Sequence, residues 1–537
     1  MGDQHHRKRY SVSSMPIRPE EFRMRVALMS EVEKSIHHAG QVQVLVSSDR
    51  SGLHRTSIVS SAFEFQNADQ ILDYLGFKSP IILYTILCMA VCWSLAIMTI
   101  MCSHFYETGI ECEYGDRKCA AEANEMKTIE KQFFSGKDKW LGPEWSASIF
   151  FIGDLLGGIT LSYYADVHGR KKIVFPSMFV MGFLLIVSTF ATTLIGFLVL
   201  RFMAGFFLTA SFVIVWVHAS ECISARYHAV LSVIFGFTWV IGYACVALIA
   251  TFLHDWRQAT IIVAVPQLII SFSLWFTIPE SFQFVVEKRR KQELHMWLKS
   301  SRNPYLDQNV NAEKFLQTTH KHVEDEGADD LSGFLKYLQE HTAIIKIVVM
   351  SACLWIFTFL WYLGLSMQST SLGGDAYKNF LLSGLVEIPG HIINPLLIKN
   401  IGRKRTTVTV YTLGTVCLLG LSYIEDTHSD LYLYVWMSAK CLSAAAFMNL
   451  FINGAVIFPT AIRNSAMGIC AVCSNIGASI GPHVPHLKRF GHPVPWIVFA
   501  LATAISGMLA NSMPKPDLED EEPTVNGYVE VPLDEEV

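Results

Sequence analysis

Residues 153–172 read GDLLGGITLSYYADVHGRKK, an apolar, glycine-rich run that breaks into an acidic and basic turn. One membrane helix ends at this turn and a second begins. Gly153, Gly157 and Gly158 let the backbone approach a neighbouring helix closely, which in lipid is how helices gain contact without a hydrophobic drive. Asp166 and Arg170 stand at i and i+4, placed to pair with each other or with helix ends at the membrane surface. The stretch reads as a hinge between spans.

The chain around it has the composition such a hinge needs. Of its 537 residues 51% are hydrophobic and 17% charged, with a mean hydropathy of +0.34, too apolar for a soluble enzyme. About twelve runs are long enough to cross a bilayer, beginning near residues 80, 145, 173, 194, 229, 260, 344, 378, 406, 431, 465 and 494. The expected fold is an all-α polytopic membrane protein. The net charge of −5 is slight, and the basic residues are dispersed around membrane segments, so no nucleic-acid face is indicated. The first 79 residues are polar and lack the apolar core of a secretory signal peptide, which leaves insertion to the first span.

Charge placement sets the expected topology. Residues 1–79 form a cytoplasmic extension, 80–278 a first set of six spans with an external loop at 104–143, and 279–343 a charged internal loop. Residues 344–512 form a second set of six, and 513–537 an acidic cytoplasmic tail. Arg170, Lys171, Lys172, Arg226, Lys399, Arg403, Lys404, Arg405 and Arg463 fall on inner loops, whereas the outer loops carry few cations, so both termini lie inside. Gly402, Arg403 and Lys404 repeat after the eighth span the turn that Gly169, Arg170 and Lys171 make after the second, which points to an internal repeat. Lys399 stands in the second copy where Asp166 stands in the first.

The tails offer partner sites of low specificity. Ser11 and Ser57 lie beside basic clusters that suit a kinase, and Glu535, Glu536 and Val537 end the chain as a PDZ-type ligand does, although solvated tails account for both. Most of the twelve cysteines lie inside spans as small packing residues; Cys112 and Cys119 lie in the loop after the first span and are placed to pair if it faces an oxidising compartment. Their spacing lacks the second ligand pair of a zinc site. No cofactor is indicated.

Ionisable groups inside spans are costly and mark function by default. Here they are Asp154, Arg201, Glu221, Glu387, His391 and Lys440, with Glu387 and Lys440 each embedded in an apolar run. They serve either to pair and fix helix positions or to act on a solute or a gate. The seventh span is crowded with Trp355, Phe357, Phe359, Trp361 and Tyr362; Trp355 and Phe359 share a face, as do Phe212 and Trp216 in the fourth. Facing a cavity, such rings bind flat or cationic organic solutes through their π faces; facing outward, they contact lipid.

The hinge resembles the loop between helices two and three of the major facilitator superfamily: Asp166, Gly169, Arg170 and Lys171 fit its pattern, with Ser162 in place of a Gly and Val167 in place of an Arg. Within it, LWIFTFLWYLGLSMQSTSLGGDAYKNFLLSGLVEIPGHII from Leu354 to Ile393 resembles helices seven and eight of the organic cation and anion transporter family. WLGPEWSASIFFIGDLLGG, RFMAGF at Arg201, PESFQF at Pro279, Lys440 in AKCLSAAAFMNLF and FPTAIRN at Phe458 agree in order along residues 80–512.

The resemblance implies two six-helix halves and alternating access around a midplane solute site built from Phe212, Trp216, Trp355, Phe359, Trp361, Tyr362, Glu387, Lys440 and Asn475. It also implies an inner gate of Asp166, Arg170, Lys171, Glu221, Glu280, Arg403 and Arg463. Phe282 and Gln283 replace the Pro and Arg of the family's PESPR signature, Val456 replaces an acid, His228 replaces an Arg, and the chain has no Asn-x-Ser/Thr sequon. Asn475 aligns with a position where the family's cation transporters carry Asp and its anion transporters Arg. A neutral amide favours neither sign, and with Glu387 and the aromatics the expected solute is an organic cation or zwitterion. A sugar porter-like carrier is a rival, although the seventh span lacks paired glutamines. So is a transport-inactive receptor or scaffold on the same fold, which the altered gate motifs and long tails would suit. No nucleophile, metal or phosphate-loop pattern points to an enzyme.

Overall fold

A computed structural model describes residues 43–48, 54–59, 65, 67–108, 123–134, 142–301, 312–313, 315–316, 339, 341–372, 375–424, 429–458 and 463–513. Ser11, Cys112, Cys119, and the carboxyl-terminal Glu535, Glu536 and Val537 lie outside these residues.

Two strands and a helix lie within residues 1–79. Strands β1 (Gln43–Ser48) and β2 (His54–Val59) pair antiparallel, with Gln43 opposite Val59 and Ser48 opposite His54. Their runs of Val, Leu, Ile and Thr are the residue types that favour strand backbone. Helix α1 (Ala68–Leu75) follows, capped by the Asn67 side chain accepting from Gln70 N–H at 3.0 Å.

Eleven helices among the described residues are long and apolar enough to cross a membrane. In the first set these are α2 (Pro80–Glu107), α3 (Glu144–His168), α4 (Arg170–Ser188), α5 (Leu194–Glu221), α6 (Val230–Phe252) and α7 (Trp256–Thr277). Two short helices follow, α8 (Phe282–Glu287) and α9 (Lys291–Ser300). The second set has α10 (Ile344–Thr370), α11 (Ala376–Ile401), α12 (Arg403–Tyr423), α13 (Asp430–Gly454) and α15 (Pro493–Ser512). The run expected near 465 is the shorter α14 (Arg463–Ile480), of 18 residues.

Backbone approach explains the tightest crossings. A Cβ on Gly157 would lie 1.9 Å from the Phe206 carbonyl oxygen, and one on Gly205 1.9 Å from that of Phe150, so α3 and α5 touch through bare backbone. The second set repeats this where Gly477 of α14 would meet the Ile356 carbonyl of α10 at 1.9 Å. Each set packs mainly on itself; between the sets α3 lies on α14 and α6 on α11.

Those contacts favour one end. Phe105 meets Tyr377 at 5.6 Å and Phe380 at 5.2 Å, Tyr243 meets Phe380 at 4.9 Å, and the Ser148 hydroxyl donates to the Ser479 carbonyl at 2.7 Å. His483 and His486 stand 3.9 and 3.3 Å from the Glu144 carboxylate. The Glu144 end of the bundle is therefore closed. The Arg170 end is held by contacts inside the first set.

Candidate solute cavity and gate

Between the two sets lies a partly open cavity. Its wall is aromatic: Trp93 of α2, Trp216 of α5, Phe235 and Trp239 of α6, Tyr362 of α10, and Phe447 and Phe451 of α13. The rings brace one another. Trp216 meets Phe235 edge-on at 5.1 Å and Phe451 at 5.5 Å, while Trp239 meets Tyr362 at 5.7 Å and Phe447 at 5.6 Å. A π-helical turn at Ala210–Ile214 interrupts α5 and sets Phe212 flat on Trp93 at 4.2 Å.

Glu387 and His391 bring the cavity its ionisable groups. The helical hydrogen bonding of α11 is interrupted at Val386, because Pro389 has no N–H for the carbonyl four residues back, and Glu387 opens the segment beyond the break. The carboxylate is 1% exposed, accepts from the Tyr362 hydroxyl at 2.7 Å, and pairs with the Lys440 ammonium at 2.9 Å. Lys440, fully buried, also donates to the Ser366 hydroxyl at 2.5 Å and lies 3.7 Å from the centre of the Tyr362 ring. The cavity thus meets an anion already matched by a cation. The His391 ring stands 3.9 Å from Glu387, and neither of its nitrogens has a hydrogen-bond partner among the described residues; the same is true of the Trp93 indole N–H, whereas that of Trp239 lies within hydrogen-bonding reach of Tyr362.

At the hinge, Gly169 adopts φ +113° and a Cβ there would meet Glu280 at 2.2 Å, so the turn requires glycine on both counts. Arg170 pairs with Asp166 at 3.0 Å and with the buried Glu221 at 2.8 Å, and Glu221 in turn accepts from the Ser281 hydroxyl. Glu280 accepts from the backbone N–H of Lys171 at 2.9 Å and of Ser281 at 3.1 Å; burial pushes this carboxyl up from its ordinary pKa. The side chains that replace the PESPR pattern find other partners. Phe282 is buried edge-on against Trp297 at 5.3 Å, and Gln283 donates to Asp69 of α1 at 3.2 Å. Arg290 brings a guanidinium to 4.8 Å from the Phe284 ring, as Arg170 does. His228 lies 3.1 Å from the Ser220 carbonyl.

Of the residues expected at the solute site, the cavity wall includes Trp216, Tyr362 and Glu387. Trp355 and Phe359 stand behind it, against Phe451 at 5.0 Å and Phe447 at 5.2 Å, and Phe212 stands behind Trp93. Lys440 lies behind Glu387. Trp361 points away, fully buried against Tyr411 at 6.4 Å, and Asn475 lies at the α3–α14 contact within hydrogen-bonding reach of Asp154. Asp166, Arg170, Lys171, Glu221 and Glu280 come together in one network, whereas no carboxylate pairs with Arg403 among the described residues. Arg463 begins α14. Trp93, Phe235, Trp239, Phe447 and Phe451 were not among the expected site residues. The i, i+4 spacing of Phe235 with Trp239 and of Phe447 with Phe451 is the signal already used for Phe212 and Trp216.

A family model described as Major Facilitator Superfamily matches residues 143–482. A Caenorhabditis elegans protein whose name says only that it is a transporter is 28% identical over 452 residues, 84% of this chain and 88% of that protein. Mouse solute carrier family 22 member 4 is 27% identical over 380 residues (71% of this chain, 68% of the relative). Human organic cation/carnitine transporter 2 is 25% identical over 406 residues (73% and 71%). Among solved structures, the xylose transporter XylE from E. coli in a partially occluded inward-open conformation superimposes with a TM-score of 0.60 at 15% identity. That likeness covers 80% of this chain and 97% of XylE, and speaks for the fold.

Proposed function

The chain belongs to the Major Facilitator Superfamily and is a multi-pass membrane transporter; from that premise we propose that it moves a small organic solute bearing both a cationic and an anionic group. The observation that carries the reading is the aromatic cavity with the Glu387–Lys440 pair at its wall. The ring faces suit a cationic headgroup. A carboxylate already paired with Lys440 gives a cation less than a free carboxylate would, while the unpartnered indole N–H of Trp93 suits an anionic or carbonyl oxygen. The human relative named for organic cations and carnitine supports the class.

The two helix sets rock about the cavity as 80–278 and 344–512, with the Arg170 end and both termini cytoplasmic and the Glu144 end outside, in the plasma membrane. Ser11 and Ser57 are candidate kinase sites and the terminal Glu535-Glu536-Val537 a candidate PDZ ligand. Uptake into vesicles across a panel of organic cations, anions and zwitterions, with membrane potential and pH varied separately, tests the reading. Zwitterion uptake exceeding that of matched cations and anions is the expected result; uptake of hexose alone would support a sugar carrier. Absence of uptake with solute-dependent effects of the tails would support a receptor.

A further inference from the structure

We infer that Asp154 is a proton-binding site on the seam between the two helix sets, and that closing the Glu144 end requires it to be neutral. The inference rests on the rocking motion proposed above.

Asp154 lies in the middle of α3 and is 4% exposed. Its carboxyl accepts from the Thr209 hydroxyl of α5, which also reaches the Asp154 carbonyl at 2.9 Å, and it lies within hydrogen-bonding reach of the Asn475 amide on α14. Both partners are neutral. No ion pair reaches the carboxyl among the described residues, in contrast to Glu221 with Arg170 at 2.8 Å and Glu387 with Lys440 at 2.9 Å. An ionised carboxylate held this way, without a cation and away from water, is strongly disfavoured. A neutral carboxyl fits the same cage, with an O–H to donate as well as oxygens to accept.

Thr209 moves with Asp154, since both lie in the first set. Asn475 does not. Separating α3 from α14 removes the amide and lets water reach the carboxyl, so the proton leaves on opening and returns on closing, from the same side. Nothing carries it across the membrane in that cycle. The site therefore tunes the balance between open and closed by the pH on the Glu144 side, and does not couple transport to a proton gradient.

Other titratable groups face this seam and must be separated from Asp154. Arg201 of α5 lies over the Phe150 ring at 4.6 Å, and Glu107 of α2 accepts from Ala147 N–H at 3.3 Å with His104 at 3.9 Å. Glu144 faces His483 and His486 at the mouth. Burial pushes the His483 imidazole below its ordinary pKa despite Glu144, so acid opposes closure there, the opposite sign to Asp154.

The test uses the full-length protein in vesicles with His483→Gln, His486→Gln and Ser479→Cys, and reads the rate of labelling of that thiol by a membrane-impermeant maleimide from the Glu144 side. The rate is corrected for ionisation of the thiol with a model thiol and for the chain lacking Ser479→Cys. Labelling is expected to rise with pH, by no more than about tenfold per unit, the limit for one proton. Asp154→Asn should abolish that rise and hold labelling low, and Asp154→Glu should restore it. A flat profile before Asp154 is altered, or a rise that survives Asp154→Asn, overturns the assignment. Infrared difference spectra supply a second reading: a protonated-carboxyl band that disappears in Asp154→Asn is expected, and its absence in the parent overturns the proposal. Failure of the transport reading looks different: labelling would respond to neither pH nor any transported solute.

Discussion

Replacing Lys440 by Met tests whether the buried pair under the cavity holds the second helix set together. The two groups are 0% and 1% exposed, so no solvent screening reduces their interaction. Lys440→Met leaves the Glu387 carboxylate buried with the Tyr362 hydroxyl as its remaining donor, a situation that costs about 3–5 kcal/mol. Glu387→Gln should cost less by about 1–2 kcal/mol, because the stranded ammonium keeps the Ser366 hydroxyl at 2.5 Å and the Tyr362 ring at 3.7 Å. The double variant leaves two neutral side chains of similar volume and should return to within about 2 kcal/mol of the parent. Thermal unfolding of the four proteins in one detergent, treated as a double-mutant cycle, reads the coupling. Losses that add within about 0.5 kcal/mol would show that the pair contributes nothing as a pair and would refute the reasoning.

Gly157→Leu should give no folded, monodisperse protein, since the Phe206 backbone 1.9 Å from a Cβ cannot yield, whereas Gly402→Ala meets nothing within 4 Å and should cost only the strain of its glycine-type backbone (φ +84°, ψ 154°), about 2–3 kcal/mol; size-exclusion profiles separate the two. Trp93→Ala should raise the KM for a transported flat cation about tenfold or more by removing a cavity face, with Trp93→Phe intermediate; concentration-dependent uptake measures it. Arg170→Gln and Glu221→Gln should each loosen the Arg170 end, seen as faster proteolysis there, and together should do no more than the worse single change. Asn475→Asp sets a second carboxyl against Asp154 and should disfavour closure of the Glu144 end at neutral pH, raising labelling of Ser479→Cys without a preference for cations over anions in uptake.

The spans were legible because lipid leaves a chain few choices: a run of about 20 apolar residues must be a helix, and its loops carry the sign of the charge. The hinge was legible for a similar reason, since Asp166 and Arg170 meet by helix geometry alone. The cavity was harder. Its rings come from α2, α5, α6, α10 and α13, and no spacing within one helix tells which of two apolar faces meets solute and which meets a neighbour. Trp361 shows the limit: it lies in the same crowded run as Tyr362, yet packs against α12, where a Cβ on Gly414 would meet its ring at 2.5 Å. Asn475 shows another. The family resemblance implies a solute position for it, whereas the side chain opposite it in the structure is Asp154, and an amide facing a buried carboxyl is held by that partner.

The repeat of the hinge separates what backbone demands from what side chains add. Gly402 keeps a positive φ, +84°, so the helix-to-helix turn is made the same way in both copies. The space around it differs: a Cβ on Gly402 meets nothing within 4 Å, while one on Gly169 would strike Glu280. Glu280 occupies that space because the chain after α7 turns back under the hinge, places its carboxylate on Lys171 N–H and sends Ser281 to Glu221. The copy at Gly402 is tied instead through Lys404, which donates to the Met513 carbonyl at 2.8 Å and so fixes the end of α15. Among the described residues, the first hinge is held by charge within its own set and the second by a hydrogen bond to the backbone oxygen that ends α15. Buried charge pairs part at a higher cost than one hydrogen bond, so on these contacts the Arg403 hinge is expected to loosen before the Arg170 hinge, and slower or equal proteolysis at Arg403 would refute it.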